Sequence, residues 1–92
     1  MIVIQTLHQH KAELKRFGVK KLSLFGSVAR GDEKSDSDLD FLVELEHKSF
    51  DAFMGLKEFL EDLFNRKVDL VLADALKPRL RPQIMKEIVD AA

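Results

Sequence analysis

Hydrophobic and polar positions follow two different periods along this chain, and each switch between them marks an element. Between about Ile4 and Phe17, Leu7, Leu14 and Phe17 recur at helical spacing, and Gly18 stands where that helix would stop. KKLSLF then alternates, with Leu22 and Leu24 on one face, and reads as a strand. GSVARG leaves room for one or two helical turns before Gly31, and EKSDS reads as loop. DLDFLVEL predicts a second strand, with Leu39, Phe41, Val43 and Leu45 on one face and Asp38 and Asp40 on the other. Ser49 or Asp51 can cap the next helix, whose apolar stripe is Phe53, Leu56, Leu60, Leu63 and Phe64. KVDLVL predicts a third strand, with Val68, Leu70 and Leu72 facing one way and Asp69 and Val71 the other. A last helix starts at Pro82 and runs through Ile84 and Ile88. The order α-β-α-β-α-β-α, with one apolar face per strand, predicts an α/β (α+β) fold: a small mixed β-sheet with helices on one face.

Composition narrows the picture. A chain of 92 residues, 46% hydrophobic and 34% charged, has a globular balance and is expected to be one domain over 1–92. The formal charge of −1 excludes a globally basic protein that holds nucleic acid by bulk electrostatics. The absence of cysteine excludes disulfides, thiol catalysis and cysteine-ligated zinc, and fits a cytoplasmic location. The opening MIVIQTLHQHK has too short an apolar core and no basic start, so no signal peptide is expected, and no stretch approaches a membrane span.

The polar face of the strands is where chemistry is expected. Asp38 and Asp40 are two apart on a strand and share a face; if the third strand is a neighbour, Asp69 joins them. At about 4 Å each like-charged pair costs on the order of 1 kcal/mol in water and about 4 at a dielectric of 20. A divalent cation turns that repulsion into attraction, and all-oxygen ligands are what Mg²⁺ or Mn²⁺ prefers. Beside it, Gly26 follows a strand and opens a short helix-like turn whose amides, near Ser27 and Val28, can meet an anion. The Ser27 hydroxyl and the Arg30 guanidinium could add donors for the same phosphates. An anion cradle beside a carboxylate cluster suits phosphoryl or nucleotidyl transfer with two metals.

Gly26-Ser27, Arg30-Gly31 and Ser37-Asp38-Leu39-Asp40, with ten residues between Ser27 and Asp38, resemble the signature of polymerase-β-type nucleotidyltransferases. The chain is most similar to their minimal nucleotidyltransferase (MNT) family, and the resemblance runs through FGVKKLSLFGSVARGDEKSDSDLDFLVEL, VDLVLADALKP and LRPQIMKEIV. It implies that Gly26 and Ser27 bind the triphosphate, that Asp38 and Asp40 bridge two Mg²⁺ ions, and that Asp69 binds the catalytic metal alone. Many relatives carry a bulkier aromatic or basic residue where Val28 stands. It also implies a partner, an all-helical HEPN-type ribonuclease toxin, for which the MNT protein is antitoxin by transferring AMP from ATP to a toxin tyrosine.

Each feature has a plainer reading. A lone Asp-x-Asp or Gly-Ser turn is more often a solvated strand or a simple turn; together, with Asp69 inside an apolar strand where a partnerless buried aspartate would be costly, they favour the site. Arg30 could instead pair with Asp32 or Glu33, and Ser37 reads first as a turn residue. His8 and His10 fall on different helical faces, and His47 sits in a polar loop. Lys77, Arg79 and Arg81 form a basic run that reads as a solvated turn or as a contact for nucleotide or an acidic partner. The phenylalanines read as core. No histidine or glutamate in the motif region offers a dedicated base, so an aspartate or the metal must assist deprotonation. The rival functions are an antitoxin that neutralises a ribonuclease by binding alone, and an enzyme that adds nucleotides to RNA; a homo-oligomer stays open.

Overall fold

The computed structural model describes residues 2–31 and 38–90. The single N-terminal helix expected from the pattern is two: α1, Ile2–Gln9, and α2, Lys11–Arg16. His10 breaks them. Its ring Nδ1–H donates to the Thr6 carbonyl at 2.8 Å, the oxygen its own backbone N–H would otherwise use. That N–H turns instead to Leu7 O, 3.0 Å away, which tightens the last turn. Gly18, at φ +79°, then reverses the chain into β1, Val19–Phe25.

After β1 comes a five-residue helix, α3, Gly26–Arg30, and then β2, Leu39–Leu45. Asp38 therefore lies one residue before the strand, where the pattern had put it inside. Helix α4, Phe50–Phe64, begins where Ser49 Oγ accepts from the Ala52 amide at 3.3 Å, which settles the cap on Ser49. It ends at Asn65, held at φ 51° in the left-handed region. Strand β3, Val68–Leu72, follows, then a 3₁₀ turn, Ala73–Ala75, and α5, Arg81–Glu87, with Pro82 in its first turn. Ile88, expected inside the last helix, is its C-cap, and Val89–Asp90 form a short β4.

The sheet order is β3-β2-β1-β4. β1 pairs antiparallel with both β2 and β4, while β2 and β3 run parallel with α4 as the crossover, so the sheet is mixed. Its apolar face buries Leu22, Leu24, Leu39, Phe41, Val43, Val68 and Leu70 against Val3, Leu7, Leu14, Leu56 and Leu60 of α1, α2 and α4. Phe17 and Phe59 lie 5.5 Å apart, joining the end of α2 to α4, and Phe41 stacks on Phe64 at 6.3 Å. The expected stripe on α4 faces this core, with Leu56 and Leu60 fully buried and Phe53, Leu63 and Phe64 partly so. Among the described residues no helix is long and apolar enough to cross a membrane.

Candidate active site

The opposite face of the sheet is laid out in rows by the strand register. Phe25 on β1 pairs with Asp40 on β2, and Asp40 pairs with Asp69 on β3. Partners in register share a face, so Asp40 and Asp69 stand side by side, as the alternation expected once the strands are neighbours. Asp38 precedes Leu39, whose amide donates to Lys67 O at 3.0 Å where the β2–β3 ladder begins. All three acidic positions thus gather at the same end of these two strands.

Their surroundings differ from the expectation in one respect. Asp69 is exposed, not buried, because β3 is an edge strand. Asp69 therefore bears no desolvation cost, and its link to the site is its pairing with Asp40. Asp38 is exposed as well, and Asp40 is half-buried and has an interaction partner. Among the described residues no three carboxylates or imidazoles are drawn together into a metal-binding cluster. The donor set available is nonetheless carboxylate oxygen alone, which fits a hard cation such as Mg²⁺ and gives nothing to a soft one.

The glycine of the turn does a more specific job than the sequence suggested. Gly26 sits at φ +79°, a conformation that L side chains rarely adopt. A Cβ built there would fall on Asp40 Oδ2 and within 3.1 Å of its Cγ. The missing side chain makes room for the Asp40 carboxylate, which lies directly against the turn. Any phosphate seated on the backbone of that turn is then adjacent to the acidic pair.

The side chains of Ser27 and Arg30, and the whole of 32–37 with Asp32, Glu33 and Ser37, lie outside the described residues. Val28 is 2% exposed and belongs to the core, so it does not face a nucleotide, whatever larger residues do at that place in relatives. His10 is occupied by Thr6 and lies 6.1 Å from Phe59, ring to ring; His47 is exposed. Of the basic run, Lys77, Arg79 and Arg81 are all exposed. Asp74, in the 3₁₀ turn, is ion-paired with Lys48. The hydrogen bond from Lys48, then its charge and that of Arg81, hold the Asp74 carboxyl below the usual value.

Residues that the sequence reading passed over complete this face. Ser23 pairs with Leu42, and Leu42 with Val71, one row from the acidic pair; Lys21 pairs with Glu44 in the row beyond. Ser23 is 2% exposed, and its hydroxyl donates to Asp90 Oδ1 at 3.4 Å. Lys21 Nζ lies 3.7 Å from the same oxygen. The signal was present: the alternation that put Leu22 and Leu24 inward puts Lys21, Ser23 and Phe25 on the polar side.

A family model described as a nucleotidyltransferase domain matches residues 7–91. The protein adenylyltransferase MntA of Thermococcus cleftensis is 44% identical over 85 residues, covering 90% of this chain and 86% of that one. The solved structure of a candidate minimal nucleotidyltransferase superposes with a TM-score of 0.78 at 37% identity, covering 94% of this chain and 93% of that one. A toxin–antitoxin crystal structure with AMP-PNP superposes with a TM-score of 0.76 over 94% of this chain and 72% of that one. Its identity is 21%, a likeness of fold.

Proposed function

The chain belongs to the minimal nucleotidyltransferases, and from that premise we propose that it transfers AMP from ATP to a tyrosine hydroxyl of a HEPN-type helical toxin and so acts as its antitoxin. The observation that carries the reading is the contact between Gly26 and the Asp40 carboxylate, with Asp69 beside it. It brings a turn suited to phosphate and a pair of acids within one ligand's length. A relative of 44% identity named as a protein adenylyltransferase supports transfer to protein, and a fold neighbour crystallised as a toxin–antitoxin with AMP-PNP is the assembly expected.

In this reading the Gly26–Ser27 backbone, the Ser27 hydroxyl and Arg30 seat the triphosphate. Asp38, Asp40 and Asp69 would hold two Mg²⁺ ions, or Mn²⁺ in their place; bound there, the metal would neutralise charge on the departing pyrophosphate and make the acceptor hydroxyl more acidic. The acceptor oxygen forms its bond to the α-phosphorus as the bond from that phosphorus to the pyrophosphate oxygen breaks. The hydroxyl proton passes to the acidic pair and on to water, since no histidine faces the site. Nearness and alignment supply the rest of the rate. We place this activity in the cytoplasm, in one domain over 1–92.

Mass spectrometry of the product of the neighbouring gene, incubated with this protein, Mg²⁺ and ATP, tests the proposal. A gain of one or more AMP units on a partner tyrosine is expected, absent with Asp38→Asn/Asp40→Asn although the complex still forms. Suppression of the partner's ribonuclease activity without that gain would leave binding alone as the function.

A further inference from the structure

Next to the acidic pair the polar face holds a cavity of about 140 Å³ that the transfer reading leaves unused. Lys21, Ser23, Leu42 and Glu44 form its floor, and Arg81 and Met85 of α5 form its roof. The register fixes where it lies. Gly26 and its turn follow Phe25, the acidic pair occupies the row of Phe25, and the cavity begins in the next row, with Ser23 and Leu42. Turn, aspartates and cavity therefore succeed one another along the strands. Leu42 is two residues from Asp40, which is about 7 Å along a strand.

That order matters for an in-line displacement. The leaving pyrophosphate and the attacking oxygen take opposite sides of the α-phosphorus. With the pyrophosphate held at the Gly26 turn, the attacking oxygen comes from the side of Ser23 and Leu42. The nucleoside, attached through a third oxygen, leaves the line sideways. The cavity stands on the acceptor's side.

Its size and lining say what fits. In volume it is close to the roughly 150 Å³ that seats a benzene-sized ring. Its lining is mixed, with charged Lys21, Glu44 and Arg81 beside apolar Leu42 and Met85. Leu42 and Met85 offer apolar walls, while the buried Ser23 hydroxyl, held by Asp90 at a long 3.4 Å, leaves the floor polar. We propose that this cavity is the acceptor subsite and takes the ring of the partner's tyrosine, with the hydroxyl directed toward Asp40 and Asp69. The proposal rests on the transfer reading for its role, yet the seat itself can be tested without any transfer.

N-acetyl-tyrosinamide titrated into the isotope-labelled protein is expected to shift the amide resonances of Ser23, Leu42 and Met85 in a saturable way. Met85→Trp, which fills the roof from an exposed position, is expected to abolish those shifts with the rest of the spectrum intact. In the transfer assay the same variant should raise the KM for the partner about tenfold or more, with ATP affinity unchanged. Absent shifts, or shifts that survive Met85→Trp, overturn the subsite. Lost ATP affinity in Met85→Trp overturns it too, and gives the cavity to the nucleoside. A wild-type protein that seats the tyrosinamide yet never adenylylates its partner keeps the seat and overturns the transfer reading.

Discussion

Leu39, Phe41 and Val43 alternate with Asp40, Leu42 and Glu44 on a single strand, and the two sets live in different worlds. The first three are fully buried against helices. Of the second three, Asp40 is half-buried, Leu42 floors a cavity and Glu44 is exposed. The pleat separates stability from chemistry at the spacing of one residue. Such separation lets a small domain crowd carboxylates together without disturbing its core, since repulsion between exposed charges is screened by water.

The largest effect should come from the packed face. Phe41→Ala is expected to cost about 3–5 kcal/mol, a large part of the stability of a domain this size, as read by urea unfolding. Nucleotide affinity of the molecules that remain folded should stay as in wild type; a selective loss of affinity would show that the faces are coupled. The second effect belongs to the open face and needs a ligand. Mg²⁺ at a hundred times its dissociation constant should add about 2.7 kcal/mol to wild type. Asp69→Asn should lose most of that gain in a thermal melt, while without divalent ions it should melt no lower than wild type, because a like charge beside Asp40 is gone. A melt that ignores saturating Mg²⁺ with ATP would remove the carboxylates from the site.

Gly26 is where backbone conformation and site cannot be separated, since a side chain there would have to adopt a left-handed φ and would also strike the Asp40 side chain. Gly26→Ala should lose about 1–2 kcal/mol for its left-handed conformation, and ATP affinity should fall with it because Asp40 is displaced. Unchanged calorimetry in this variant would make the turn a turn and nothing more. The smallest effect lies far from the acids, at the pair of Lys48 and Asp74. The folded Asp74 carboxyl titrates below 3.8, so its contribution to stability is present above that pH and disappears as the pH falls through the lower folded value. Lys48→Gln should bring the Asp74 titration, followed by NMR, back toward 3.8, with the nucleotide site untouched.

Much of this was legible because strands with one buried face carry their orientation in their spelling. Leu39 to Leu45 and Val68 to Leu72 told inside from outside, and with it which side Asp40 and Asp69 occupy. That Asp69 is exposed was not legible, because an apolar strand reads alike at the edge and at the centre of a sheet. The break at His10 depends on a ring nitrogen taking one carbonyl, which no hydrophobic period encodes. Two residues, Val89 and Asp90, are too few to alternate, so the pattern ended on the last helix and gave no sign of β4. The cavity escaped for a similar reason: its floor comes from β1 and β2 and its roof from α5, elements far apart along the chain.

The parallel pairing of β2 with β3 carries a consequence for how the molecule assembles. Phe25 and Asp40 meet by closing the antiparallel pair β1–β2, but Asp40 and Asp69 meet only after the chain has travelled through the whole of α4. Closing that longer excursion costs more chain entropy, and it is repaid late, when β3 docks. A transient species holding β1, β2 and no β3 would possess the glycine turn and two of the three acids, Asp38 and Asp40. On the proposed function, the site would then be a clock for the last stage of folding: a cation would be gripped by the full set of carboxylates only once the crossover has closed.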